Sequence, residues 1–99
     1  MTDKTLEDIA RIYEQMTAEV APLLRDGWMR TPDRERPGFG VFATRAAGDF
    51  SAQISSNVHI WPEWTWATKM LRHPVGAASA DTAADAIRQA EEAWRQNAA

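Results

Sequence analysis

The sequence predicts an α+β fold in the order α-β-β-β-α, a three-stranded antiparallel sheet with its N- and C-terminal helices packed on one face. Two helical stripes and one hairpin signal predict it. Leu6, Ile9, Tyr13, Met16 and Val20 recur at steps of 3, 4, 3 and 4, as on the buried face of a helix. Ala83, Ile87, Ala90 and Trp94 do the same near the other end. Between them, Gly48-Asp49 stands amid alternating apolar and polar residues, which marks a β-hairpin.

Thr5 is placed to cap the first helix, with Asp8 three residues on. Pro22 removes a donor and crowds the carbonyl of Ala18, so it should kink the helix. Leu23 and Leu24 keep the phase of the stripe, so helix is expected to resume and to end at Gly27. Arg30 to Gly38, "RTPDRERPG", holds two prolines and five charges and reads as an exposed loop.

A two-residue turn at Gly48-Asp49 sets Ala47 opposite Phe50, Arg45 opposite Ala52, Ala43 opposite Ile54 and Val41 opposite Ser56. One face then collects Phe39, Val41, Ala43, Phe50, Ala52 and Ile54. The other collects Phe42, Thr44, Ser51, Gln53 and Ser55, so pattern and turn specify one register. Residues 57–63 are ambiguous, since Pro62 marks an edge, a bulge or a break. "WTWATKML" from Trp64 reads as a third strand and "RHPVGAAS" as a connection. The last helix starts near Asp81 and runs to the end, with Ser79 or Asp81 as its cap and a Glu91–Arg95 pair on its surface.

The 99 residues make one domain, 1–99. Eighteen of its apolar residues are alanine, so the core is small in volume and each of the five tryptophans counts heavily. Net charge is −3 and the isoelectric point about 5.3. That argues against a general nucleic-acid binder, which needs cations to displace phosphate counterions. The absence of cysteine removes disulfides, thiolate chemistry and cysteine zinc sites. The polar start "MTDKTLED" is wrong for a signal peptide, and no run is long enough to cross a membrane, so a cytoplasmic location is expected.

No constellation of nucleophile, base and orienting group stands out. His59 and Glu63 are four apart but have no third ligand and no helix between them, so neither a metal nor any other cofactor is expected. "GFG" at Gly38 to Gly40 eases entry into a strand, and Glu91 and Glu92 read as solvated helix-surface carboxylates. The chain is not expected to be an enzyme.

Three tryptophans fall within His59–Met70. Trp64 and Trp66 share one strand face; they either pack under the helices or form an exposed patch. Trp66 is assigned to the core, because tryptophan is highly buried on average. Trp61 beside Pro62, together with Trp64, is assigned to recognition. Arginine and tryptophan commonly anchor interfaces, so Trp61, Trp64, Arg34 and Arg36 are the candidate partner-binding residues. Asp33 and Glu35 interleave the arginines, as in a solvated loop, not a phosphate clamp.

The stretch "WTWATKMLRHPVGAASADTAADAIRQAEEAW" joins a Trp-rich strand, a Gly-containing turn, a Ser/Thr cap and an Ala-rich amphipathic helix. In this it resembles small bacteriophage-encoded accessory proteins of the anti-CRISPR type. Similar endings occur in HicB-type antitoxins and, in α-β-β-β-α order, in double-stranded RNA-binding domains. The latter are expected to carry a lysine cluster at the start of the last helix, where this chain reads "SADTAAD". No individual functional residue carries over. The lack of a catalytic constellation, the mild acidity, the small size and the spare aromatics beside a charged loop point to a non-catalytic protein-interaction module, and the resemblance implies a phage-type inhibitor that occludes a host nucleic-acid-handling complex. Two other functions are compatible with the sequence: single-stranded nucleic-acid binding by the sheet, and a homodimeric structural protein with the first helix as its seam.

Overall fold

The computed structural model describes residues 5–97. It is α+β, with helix α1 (Leu6–Val20), strands β1 (Met29–Arg30), β2 (Gly40–Ala47), β3 (Phe50–Asn57), β4 (Trp64–Met70) and β5 (His73–Ala80), and helix α2 (Ala83–Asn97). The sheet has five strands, not three. All neighbours are antiparallel and the order follows the chain, β1-β2-β3-β4-β5. Both helices pack on one face of it, where a single core joins Met16 and Val20 of α1, Ala83, Ala86 and Ala90 of α2, and the inward residues Val41, Ala43, Ala52, Ile54 and Trp64.

The start of α1 is fixed as its sequence predicts. The Asp8 amide donates to Thr5 Oγ1 at 3.1 Å and the Thr5 amide to Asp8 Oδ2 at 3.3 Å, a reciprocal capping box. Hydrogen bonding of the Asp8 carboxylate to the Thr5 side chain and amide holds that carboxyl below its ordinary range, ahead of the contribution of Arg11. The helix does not resume after Pro22. Ala21–Leu23 tighten into a 3₁₀ turn and Leu24 leaves the helical region, because Pro22 has no amide to continue the ladder. Gly27 (φ 94°) follows Asp26 (φ 56°) in a left-handed turn; it does not close a longer helix. The turn delivers Trp28 to the core, where it is 3% exposed.

The β2–β3 hairpin has the register that its turn and alternation specify, from Ala47↔Phe50 to Val41↔Ser56. β4 also forms where expected. "RHPVGAAS" is not a connection: after a turn at Leu71 and Arg72 it becomes β5, with Ala67 opposite Ala77 and Trp64 opposite Ala80. The small residues of β5 suit the space left for them. A Cβ on Gly76 would lie 3.1 Å from the Trp66 ring and from Ala93, so glycine lets α2 and Trp66 sit close over the strand. Trp66 donates its indole N–H to Gln89 Oε1 at 2.9 Å, and buried Thr68 donates to the Ala90 carbonyl at 2.9 Å, which ties α2 to the middle of the sheet.

Thr82, not Ser79 or Asp81, caps α2, accepting from the Asp85 amide at 3.1 Å. Residues 98 and 99 of the expected helix lie outside the described residues. Glu91 faces the sheet and does not pair with Arg95: it accepts from Arg45 Nη1 at 2.6 Å and from Trp28 Nε1 at 3.1 Å. Most of the α1 stripe is spent on the chain's own core, with Met16 and Val20 buried and Ile9, Ile12 and Tyr13 packed against it, while Leu6 at its start is exposed.

Glu19 joins three elements. Its Oε2 accepts from the Ala83 amide at 2.7 Å, at the N-terminus of α2, and its Oε1 accepts from Trp61 Nε1 at 2.9 Å. Glu19→Ala strands two part-buried donors. It is expected to lower unfolding free energy by about 2 kcal/mol, measured by urea denaturation followed by circular dichroism.

Candidate functional site

One face of the sheet carries no helix. Phe42 and Thr44 of β2, Ser51, Gln53 and Ser55 of β3, and Thr65, Ala67 and Lys69 of β4 point to it, by alternation from the buried positions beside them. None of the open-face positions in these three strands is a carboxylate, although the whole chain carries a charge of −3. Among the described residues, the acidic ones lie on the helices, loops and turns.

The segment from Arg30 to Gly38 borders this face, and Glu35 shapes it. Its side chain is turned inward, 7% exposed, and takes Arg30 in a two-pronged pair at 2.9 Å on each prong. Glu35 Oε2 also accepts the Phe42 amide at 3.0 Å, and Arg30 donates to the Tyr13 hydroxyl at 3.1 Å. Hydrogen bonding to Glu35 holds the Arg30 guanidinium even more firmly protonated than usual. Folding thus removes the Glu35 charge from the surface, where the sequence had it interleaved with the arginines.

Arg34 and Arg36 remain exposed on either side. The Arg34 guanidinium lies 5.5 Å from the Phe42 ring centre, and that of Arg36 lies 4.8 Å from Phe39. Phe39 is steadied in turn by His59, edge to face at 5.0 Å. Between them is a cleft of about 180 Å³ whose walls include Arg34, Arg36, Phe39, Phe42, Ser55 and Asn57. Arg34 also borders a second hollow, with Thr31, Thr44, Gln53 and Lys69. Among the described residues, the ion pairs engage Arg11, Arg25, Arg30, Arg45 and Arg88, and neither Arg34 nor Arg36 has a carboxylate within 4.0 Å.

Comparison with protein-family models, with curated proteins and with solved structures finds no match.

The four candidate residues separate into two pairs. Arg34 and Arg36 come together at the cleft. Trp64 is fully buried, which corrects its assignment to an exposed recognition surface: strand parity puts it under the helices with Trp66, opposite Ala80. Trp61 is half-buried, packs on the core and is anchored by Glu19. The sequence does not mark Phe39, Phe42 or Asn57 as site residues, and it raises His59 only as a metal ligand without a third partner. Phe42 carried a usable signal, as the one aromatic on an otherwise polar strand face. Among the described residues no group of three His, Asp or Glu side chains is placed to hold a metal ion, and no helix is long and apolar enough to cross a membrane.

A stacked guanidinium keeps its N–H edge outward and loses little freedom on binding. It is well suited to gripping a carboxylate through two parallel bonds. The cleft can therefore bind planar anionic groups.

Proposed function

We propose that the chain is a non-catalytic, cytoplasmic protein-interaction module that docks an acidic segment of a partner protein along the open sheet face. The observation that carries this reading is the pair of arginines, Arg34 and Arg36, each lying over a phenylalanine ring and neither, among the described residues, with a carboxylate within 4.0 Å. Small size and the resemblance of the C-terminal third support a narrower form, a phage-type inhibitor that occludes a host nucleic-acid-handling complex.

The test is capture of partners from native cytoplasmic extract by the tagged chain and by an Arg34→Ala, Arg36→Ala variant. Truncation at interface anchors costs about 2 kcal/mol or more each, so the double variant is expected to lose a stoichiometric partner at least about a hundredfold. Both side chains are exposed, so the melting temperature should stay unchanged. Undiminished capture by the variant refutes the assignment.

Single-stranded nucleic acid on the same face is a second reading, favoured by Lys69 and Arg34 near Phe42. It is the weaker one, because base stacking needs a bare ring and the guanidinium groups already lie over Phe42 and Phe39. It requires salt-sensitive affinity for an oligonucleotide; no binding at low salt rejects it.

A further inference from the structure

We infer that β5 is a self-pairing edge, through which two copies of this chain join their sheets into one. The two ends of the sheet are built differently. At the β1 end the edge is closed: β1 has two residues, and Glu35 already occupies the Phe42 amide. At the other end β5 is an eight-residue outer strand, and among the described residues no loop or cap hydrogen bond reaches its outer side. Unprotected edges of this length normally carry charges or are covered, since their free N–H and C=O groups recruit another strand. Pro74 blunts only the start of the strand; from Val75 to Ala80 there is neither a proline nor a charged side chain, and Ala77, Ala78 and Ser79 are exposed.

The charges at the ends of the strand select the occupant. Arg72 and His73 precede it and Asp81 follows it. An antiparallel partner centred on Ala77 brings the Arg72–His73 end of each copy beside the partner's Asp81, twice over, while the interior pairs stay uncharged. The strand that complements a basic start and an acidic end, read in reverse, is the same strand. This register also pairs Gly76 with the partner's Ala78, both on the helix-covered side. The two α2 helices then flank the seam on one face, and Ala78, exposed in the single chain, is enclosed.

Light scattering on the whole chain from low to high micromolar concentration tests this. The mass is expected to rise to twice 11.1 kDa. Asp81→Arg sets like charges beside each other at both ends and should raise the dissociation constant about tenfold. Adding Arg72→Asp to it reverses both partners and should restore pairing. Ala77→Lys, which puts two ammonium groups at the two-fold axis on an exposed site, should abolish the dimer without unfolding the chain. A monomer at high micromolar concentration overturns the inference and leaves the edge to an extended segment of another protein. A dimer indifferent to both Asp81→Arg and Ala77→Lys overturns it equally.

Discussion

Trp64→Ala is expected to cost about 4 kcal/mol of folding free energy, enough to leave a domain of this size barely folded. Six of the thirteen buried apolar residues, among those described, are alanines: Ala43, Ala52, Ala80, Ala83, Ala86 and Ala90. Such a core has little mobile side-chain volume with which to fill a void. Trp64 is the largest side chain without any exposure, and its partner across the strands is the small Ala80. Its indole N–H is buried and has no hydrogen-bond partner, so the ring acts here as volume alone. Trp64→Phe removes that orphaned donor while keeping most of the ring, and should cost less than half as much as the alanine variant. Equilibrium urea denaturation of both variants decides it. Equal losses would overturn this reading, because phenylalanine leaves the smaller cavity: the site would then depend on something only the indole supplies, not on volume.

Glu91→Ala is expected to destabilise by about 3 kcal/mol. The carboxylate is the shared acceptor of Arg45 and Trp28, with side-chain exposures of 22% for Glu91 and 31% for Arg45. Removing it leaves a part-buried guanidinium and a buried indole N–H without an acceptor. Arg45 is then held only by its stacking on Trp94, 4.8 Å away. Glu91→Gln keeps an acceptor but no charge and should lose about half as much. A double-mutant cycle with Arg45→Ala separates the ion pair from the Trp28 bond. A loss below about 0.5 kcal/mol for Glu91→Ala would place the residue with ordinary exposed helix carboxylates.

Local signals carried most of the legible fold. The capping box of α1, the two helix stripes and the hairpin register each depend on residues a few positions apart, and each was readable. β5 was not, because "HPVGAASA" has one β-branched residue among alanines, a glycine and a proline, the composition of a loop. It is a strand because β4 offers it a ladder and because α2 and Trp66 need small residues beneath them. β1 was hidden by its length of two residues. Glu91 was read as a solvated surface group because its partners, Arg45 and Trp28, are 46 and 63 residues away.

The site was half legible for the same reason. Residue type pointed to Arg34 and Arg36, and the loop exposes both. Parity already grouped Trp64 with Trp66, and the full burial of Trp64 and partial burial of Trp66 follow from the helices above them. What the one-dimensional string concealed was Glu35. Beside two arginines in sequence it reads as a neutralising neighbour, and only the fold turns it toward Arg30 and the Phe42 amide.

That inward turn of Glu35 also sets a limit on growth. A sheet with two free margins can add copies at both and extend into a filament, as a non-closing assembly does. Here one margin is spent internally: a carboxylate sits where an incoming backbone would have to accept the Phe42 N–H. With a single adhesive margin, every union consumes the only one each copy has, and assembly terminates at a closed pair. Protecting one margin against fibre formation is what allows the other to remain bare.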